Sequence, residues 1–166
     1  MYRIEVVCTG NVCRSPISEL VLQRAFGDAG LADRVVITSA GLAAWDPDEP
    51  MDPRSSAVLL RNGFSEDQVS GFVARPFRQD RIPVLDLMLA LDRSHEDRLL
   101  AWAPPEHRPR VRLLRSFDPA ASGLPREELD VPDPWFGEDV DFDAAYDLIE
   151  AAAPGVVAAV RIELQA

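Results

Sequence analysis

The stretch "YRIEVVCTGNVCRSPISELVLQRAFGDAG", residues 2 to 30, decides the architecture. Tyr2 to Val7 is rich in β-branched residues and reads as a strand that ends where Cys8 opens a short turn. Ser15 and Pro16 then offer an N-cap and a proline at the first helical position, and Glu19 near the first turn suits the helix dipole. Ile17, Leu20, Val21, Ala25 and Phe26 recur at helical spacing until Gly27 and Gly30 close the segment. The unit is strand, loop, helix, with the loop from Cys8 to Arg14 at the carboxyl end of the strand.

The pattern repeats along the chain. Val35 to Ala40 is a second strand ending in "TSAG", and a polar, proline-rich loop leads to a helix from Pro53 to Arg61. "VLDLMLALD", Val84 to Asp92, is the continuous apolar run of a strand buried on both faces, as in parallel sheets. Ser94 to Trp102 is helical, Arg110 to Leu114 is a fourth strand, and residues 116–139 form a long loop rich in Pro, Gly and Asp. Phe142, Ala145, Leu148, Ile149, Ala152, Val156, Val160 and Leu164 make a last amphipathic helix that Pro154 and Gly155 are expected to bend or interrupt. Alternating strands and helices imply an α/β, doubly wound parallel sheet, whose ligands bind beyond the carboxyl ends of the strands. The length of 166 residues suits one domain spanning 1–166.

Seventeen arginines and no lysine stand against 28 acidic residues, a net charge of −11 that repels nucleic acid and acidic membrane surfaces. A small anion can still bind, because local amides and one arginine act at short range. Two cysteines make no disulfide framework, and the absence of a CxxC pair or a Cys/His cluster leaves no zinc site and no metal. His95 and His107 read as ordinary surface or loop residues. No run approaches the roughly 18 apolar residues of a membrane helix, and Met1 to Cys8 does not resemble a signal peptide, so a cytoplasmic location without membrane insertion is expected.

Cysteine followed by five residues and arginine is a weak motif by itself; its place between a strand and a helix N-terminus gives it meaning. The N–H groups from Thr9 to Arg14 can curl around one anion while the helix dipole adds positive potential. Gly10 permits a positive φ in that curl, and Asn11 tolerates the left-handed region or holds the loop through its amide. Arg14 offers two parallel donors to phosphoryl oxygens. The field that binds the anion also favours the thiolate of Cys8, which could attack the phosphorus of a monoester, with Ser15 donating a hydrogen bond to the sulfur. A leaving oxygen needs an acid, for which Asp46, Asp92, Asp118, Asp130 and Asp133 are candidates. Asp133 in "PDPWFG" is the best of them, because Pro134 stiffens its loop while Trp135 and Phe136 wall the site for an aryl group.

"VCTGNVCRSP" followed by "SAG" and then "DPWFG" resembles the low-molecular-weight protein tyrosine phosphatases, with "EPMDPR" and "LLRSFDP" similar to actinobacterial members. The resemblance implies a four-stranded parallel sheet with helices on both faces, flavodoxin-like, and no cofactor. It implies Cys8 as nucleophile, Arg14 as phosphate clamp, Asp133 as general acid and later base, and Thr9, Gly10, Val12 and Cys13 with Trp135 and Phe136 around the substrate. Ser15, Asn11 and Ser39 become a supporting hydrogen-bond network, and Asp92 a support for Arg14. The expected partners are phosphotyrosine proteins, with inhibition by phosphate and vanadate-like oxyanions.

Leu42, Asp46 and Phe72 depart from the family, which often has Thr, His and His there, so the outer network is expected to be wired differently. Three rival readings share the scaffold. A protein arginine phosphatase resembles this loop except for Thr where Val12 stands. A thiol-dependent arsenate reductase lacks its downstream cysteines here. A non-catalytic phosphoprotein-binding module leaves Cys8, Arg14 and Asp133 unexplained. Cys13 is either a small side chain tucked behind the loop or, as the resemblance implies, a partner that captures oxidised Cys8 in a disulfide.

Overall fold

In the computed structural model, which describes residues 1–43 and 47–165, strand β1 (Tyr2–Cys8) lies inside a sheet of order β2-β1-β3-β4. β2 (Val35–Gly41) and β3 (Leu87–Ala90) flank it, β4 (Val111–Leu113) forms the far edge, and every pairing is parallel. The chain starts inside the sheet and winds outward in both directions, so the carboxyl end of β1 falls at the point where the strand order reverses.

Side chains alternate across the sheet. Ile4, Val6 and Cys8 share one face with Leu87, Leu89 and Leu91, and Val7, Met88 and Ala90 take the other. Helices α1 (Arg14–Asp28), α2 (Pro53–Arg61) and α5 (Asp139–Glu163) cover the first face with Ile17, Val21, Phe26, Leu59, Tyr146, Ile149 and Val156. Leu99 of α4 (Arg93–Trp102) and the 3-10 segment Gln79–Val84 cover the second. A short helix α3 (Glu66–Ser70), closed by a Ser65–Gln68 capping box, follows α2. The four-stranded, flavodoxin-like sheet with helices on both faces is therefore as expected.

Three boundaries differ from the sequence reading, each for a physical reason. The third strand is only Leu87–Ala90, because Pro83 sits in the 3-10 segment and Val84 is 53% exposed. Residues 116–139 are articulated by the 3-10 turns Pro119–Ala121 and Arg126–Glu128. Pro154 and Gly155 do not interrupt the last helix, which runs unbroken from Asp139 to Glu163. Pro154 lies on its exposed side, where the carbonyl deprived of its partner meets water. Gly155 faces inward, and a Cβ there would stand 1.8 Å from the carbonyl oxygen of Phe117.

Replacing glycine by alanine in a helix ordinarily stabilises by about 1 kcal/mol. Here the collision with a backbone atom outweighs it, and Gly155→Ala is expected to destabilise by about 1–3 kcal/mol. Urea denaturation measures this; an alanine variant as stable as wild type would mean that α5 does not rest on Phe117 as described.

Candidate active site

The turn between β1 and α1 is built by turning its carbonyls outward. Cys8 O accepts from Leu42 N at 3.0 Å, Thr9 O from Ala43 N at 2.8 Å, Val12 O from Asp52 N at 2.8 Å, and Cys13 O from Ser55 Oγ at 3.3 Å. With the carbonyls committed to these neighbours, the N–H groups of the turn are left to face its centre. The left-handed residue is Asn11, with φ of 59°, and Gly10 has no positive φ. That corrects the expectation for Gly10: asparagine tolerates this region, and here its side chain is also needed. Cys13, not Ser15, holds the N-cap position of α1 and makes no side-chain cap bond. Ser15 lies inside the first turn, where its hydroxyl is 2.9 Å from Cys8 Sγ.

A chain of buried polar groups runs back from the sulfur. Asn11 Nδ2 donates to Ser15 Oγ at 2.8 Å and to Ser39 Oγ at 2.9 Å. Ser39 Oγ donates to Glu19 Oε2 at 2.5 Å, and Arg75 Nη2 pairs with the same oxygen at 2.7 Å. Asn11 Oδ1 accepts from Arg75 N at 2.8 Å. Glu19, expected at a helix start for its effect on the dipole, is buried and belongs to this chain instead. Phe72 is buried, and the Arg75 guanidinium lies 5.6 Å from its ring centre.

Arg14 is 2% exposed and held from two sides. Its Nη1 donates to Asp92 Oδ2 at 2.7 Å and to Val131 O at 2.9 Å, and Nη2 lies 3.2 Å from Asp133 Oδ2. Its Nε is buried and has no partner among the described residues. Asp92 also caps α4, accepting from Ser94 Oγ at 2.6 Å and His95 N at 3.1 Å. Burial pushes its carboxyl up, but Ser94, His95 and Arg14 together hold it below the ordinary range.

His95 is a correction. Rather than lying at the surface, it is 3% exposed, with Nε2 2.9 Å from Thr9 Oγ1 and Nδ1 3.1 Å from Asp92 Oδ1. Its sequence signal is the Asp92-Arg93-Ser94-His95 spacing, which puts the histidine at the third position of a capped helix. Burial lowers its pKa to about 4 against the opposing pull of Asp92, so the ring is neutral at pH 7. His107 lies in the 3-10 stretch Pro105–Arg110, away from this cluster.

The four candidate acids among the described residues separate cleanly. Asp118 is buried as the cap of a 3-10 turn, accepting from Ala120 N, and Asp130 is engaged by Arg93. Asp92 lies beneath Arg14, and Asp46 is outside the described residues. Asp133 alone of the described four lines the cleft, a space of about 640 Å³ bounded by Cys8, Gly10, Val12, Arg14, Trp135 and Phe136. Trp135 is 47% and Phe136 98% exposed, so both rings stand at its mouth.

Arg54 was not singled out in the sequence, although "MDPR" carries its cap and proline. It grips Asp52, donates to Gly137 O at 2.9 Å and Trp135 O at 3.2 Å, and lies 4.3 Å over the Phe142 ring. One side chain thus straps the acid loop to α2. Cys13 is buried, and that burial, reinforced by Asp52, pushes its thiol well above the ordinary range. Among the described residues, no group of three or more His, Cys, Asp or Glu side chains is arranged to hold a metal. Among the described residues, no helix is long and apolar enough to cross a membrane.

The arrangement joins a thiol, a ring of amides, a buried arginine and a carboxyl group in one cleft, a combination suited to phosphoryl transfer through sulfur. Residues 3–166 match the family model described as "Low molecular weight phosphotyrosine protein phosphatase". The chain belongs to that family. It is 44% identical over 165 residues to the low molecular weight protein-tyrosine-phosphatase of Streptomyces coelicolor, covering 99% of this chain and 96% of that one. With low molecular weight protein-tyrosine phosphatase A of Mycobacterium tuberculosis it shares 39% over 153 residues, 92% of this chain and 88% of the other. The crystal structure of a protein tyrosine phosphatase from Entamoeba histolytica has the same fold, with a TM-score of 0.87 at 23% identity over 98% of this chain and 99% of that one.

The neutral, buried His95 sets a pH dependence of stability. An unfolded histidine titrates near 6.5, so between pH 6.5 and about 4 the unfolded chain binds a proton that the folded one does not, and stability falls as pH falls. The full effect is about 3 kcal/mol. Denaturant melts from pH 7 to 4 should show a shallower decline for His95→Gln than for wild type. Parallel curves would mean that His95 binds its proton as readily in the folded protein as in the unfolded chain.

Proposed function

We propose that the chain hydrolyses phosphotyrosine in proteins, and small aryl phosphates, through a phosphocysteine intermediate. The observation that carries this reading is the approach of Arg14 Nη2 to Asp133 Oδ2, 3.2 Å, in the cleft that Cys8 also lines. Clamp, acid and nucleophile share one small volume. The phosphate of the substrate occupies the curl of Thr9 to Arg14, its oxygens held by the amides and by the paired donors of Arg14. The Cys8 thiolate attacks phosphorus, the bond to the tyrosyl oxygen breaks, and the protonated carboxyl of Asp133 gives its proton to that oxygen. Water then attacks the phosphocysteine with Asp133 as base, sulfur leaves with the Ser15 hydroxyl donating to it, and inorganic phosphate is released.

The aryl ring lies between Trp135, Phe136 and the loop residues Gly10 and Val12. Asn11 and Ser39 hold Ser15 in place, and Asp92 fixes Arg14. Phosphate and vanadate-like oxyanions are competitive inhibitors in this scheme, and no cofactor is required. The protein's partners are phosphotyrosine proteins of the cytoplasm.

Offered a phosphotyrosine peptide, a phosphoarginine peptide, and arsenate with a thiol reductant, the protein is expected to release phosphate from the first; silence there overturns the reading. Cys8→Ser should leave no turnover. Asp133→Ala should slow aryl phosphates with poor leaving groups by about 10²–10⁴ and those with good ones far less.

Cys13 has a place in the same scheme. Peroxide converts the Cys8 thiolate to a sulfenic acid, and condensation with the Cys13 thiol forms a disulfide and releases water. Thiol reductant restores both. Peroxide-treated wild type should therefore recover with dithiothreitol, while Cys13→Ala should not; equal recovery removes this role.

A further inference from the structure

The loop that carries Asp133 has little apolar burial to order it. Phe136 stands almost wholly in solvent, Asp133, Trp135 and Glu138 are exposed, and Pro134 is the buried residue among them. Hydrogen bonds have to supply the order instead. Upstream, Val131 N donates to Leu91 O at 2.8 Å, and Val131 O accepts from Arg14 Nη1 at 2.9 Å. Downstream, Gly137 N donates to Pro134 O at 2.9 Å and Trp135 N to Asp133 Oδ1 at 3.2 Å, but both bonds lie within the loop and tie it to nothing else. The tie to the body is Arg54, whose Nη1 donates to Gly137 O at 2.9 Å and whose Nη2 donates to Trp135 O at 3.2 Å. Among the described residues, no other side chain from outside the loop and α5 hydrogen-bonds to residues 134–138.

Arg54 is itself held. Asp52 accepts from its Nε at 3.0 Å and its Nη2 at 2.9 Å, a two-pronged pairing that sets the plane of the guanidinium, and the Phe142 ring lies 4.3 Å from it. The main-chain N–H of Asp52 donates to Val12 O at 2.8 Å, and Ser55 Oγ to Cys13 O at 3.3 Å. The amino end of α2 therefore holds the turn after Cys8 with one set of bonds and the loop of Asp133 with another.

We propose that Arg54 is a positioning residue for Asp133: by clamping the carbonyls of Trp135 and Gly137 to the amino end of α2, it sets the place of the carboxyl group relative to Cys8 and keeps the acid at the leaving oxygen. The proposal rests on the phosphatase reading for its effect on turnover, and on geometry alone for its effect on the loop. With Trp135 held at its carbonyl, its N–H stays on Asp133 Oδ1, and Oδ2 is the oxygen turned to Arg14. A general acid works only within hydrogen-bond reach of the atom it protonates, so a loop that wanders loses proton transfer before it loses binding. The charge of Arg54 is matched by that of Asp52, which leaves it little direct pull on a substrate phosphate.

Two readouts test this. Hydrogen exchange of the resting protein, followed by mass spectrometry, reads the loop with no substrate present. Arg54→Met and Arg54→Gln are expected to speed exchange across residues 132–138 by about fivefold or more, with β1 unchanged. Across aryl phosphates of graded leaving-group acidity, the same variants should lower kcat/KM about tenfold for phenyl phosphate and less than about twofold for dinitrophenyl phosphate. Arg54→Lys, which reaches one carbonyl but not both, should recover part of the loss. In an Asp133→Ala background, Arg54→Met should change turnover of phenyl phosphate by less than about twofold. Unchanged exchange in both neutral variants overturns the proposal. So does an equal loss for good and poor leaving groups, or a full effect without Asp133, because Arg54 would then act on phosphate binding or on the turn after Cys8. Faster loop exchange in the variants, with no turnover by wild type, supports the clamp and removes the phosphatase reading.

Discussion

Asn11 is the residue on which the site depends. It has no exposed surface, its backbone is left-handed at φ of 59°, and its amide makes three hydrogen bonds to separate parts of the chain. The left-handed step turns the chain back on itself, which is what allows five residues to close a curl between a strand and a helix. A left-handed non-glycine residue costs free energy, and the buried amide offsets that cost by satisfying groups from α1, β2 and the segment at Arg75. Glycine would relieve the backbone and lose the bridge. The curl, the orientation of Ser15 and the approach of Cys8 to it all follow from this one side chain.

Much of this was legible in the sequence, and the limits have identifiable causes. Apolar periodicity located α1 and α5, whose apolar residues pack against the same face of the sheet. The third strand was overestimated since an apolar run cannot distinguish a paired residue from a 3-10 turn ahead of it; Val84 is apolar and exposed. Ser15 carried a stronger local signal than its true role. Serine before proline reads as a cap, and only tertiary contact with Cys8 shows the hydroxyl turned elsewhere. Proline and glycine at 154 and 155 argued for a break, but a glycine that admits a carbonyl from outside the helix has a packing purpose that leaves no local trace.

The site residues divide in the same way. Cys8, Arg14 and Asp133, which the structure brings to one cleft, stood out in the sequence because they belong to short motifs next to a strand end or in a stiffened loop. For His95, Arg54 and Arg75 the local spacing shows at most a cap, and the contacts that bring them to the site lie far off in the chain: |i−j| is 86 for His95 and Thr9, 83 for Arg54 and Gly137, and 56 for Arg75 and Glu19. An isolated arginine among seventeen carries no signal of its own. The net negative charge says little of the cleft itself, whose lining sets the buried guanidinium of Arg14 beside Asp52 and Asp133.

Thr9, His95, Asp92 and Arg14 form a closed circuit. The first residue after the nucleophile bonds to His95, His95 adjoins Asp92 through its main chain, Asp92 grips Arg14, and Arg14 returns through the turn to Thr9. The two ends of the turn are therefore joined by a tether across the amino end of α4 as well as by the backbone. A tethered turn has few shapes to give up when an anion arrives, so little of the binding free energy is spent on ordering it.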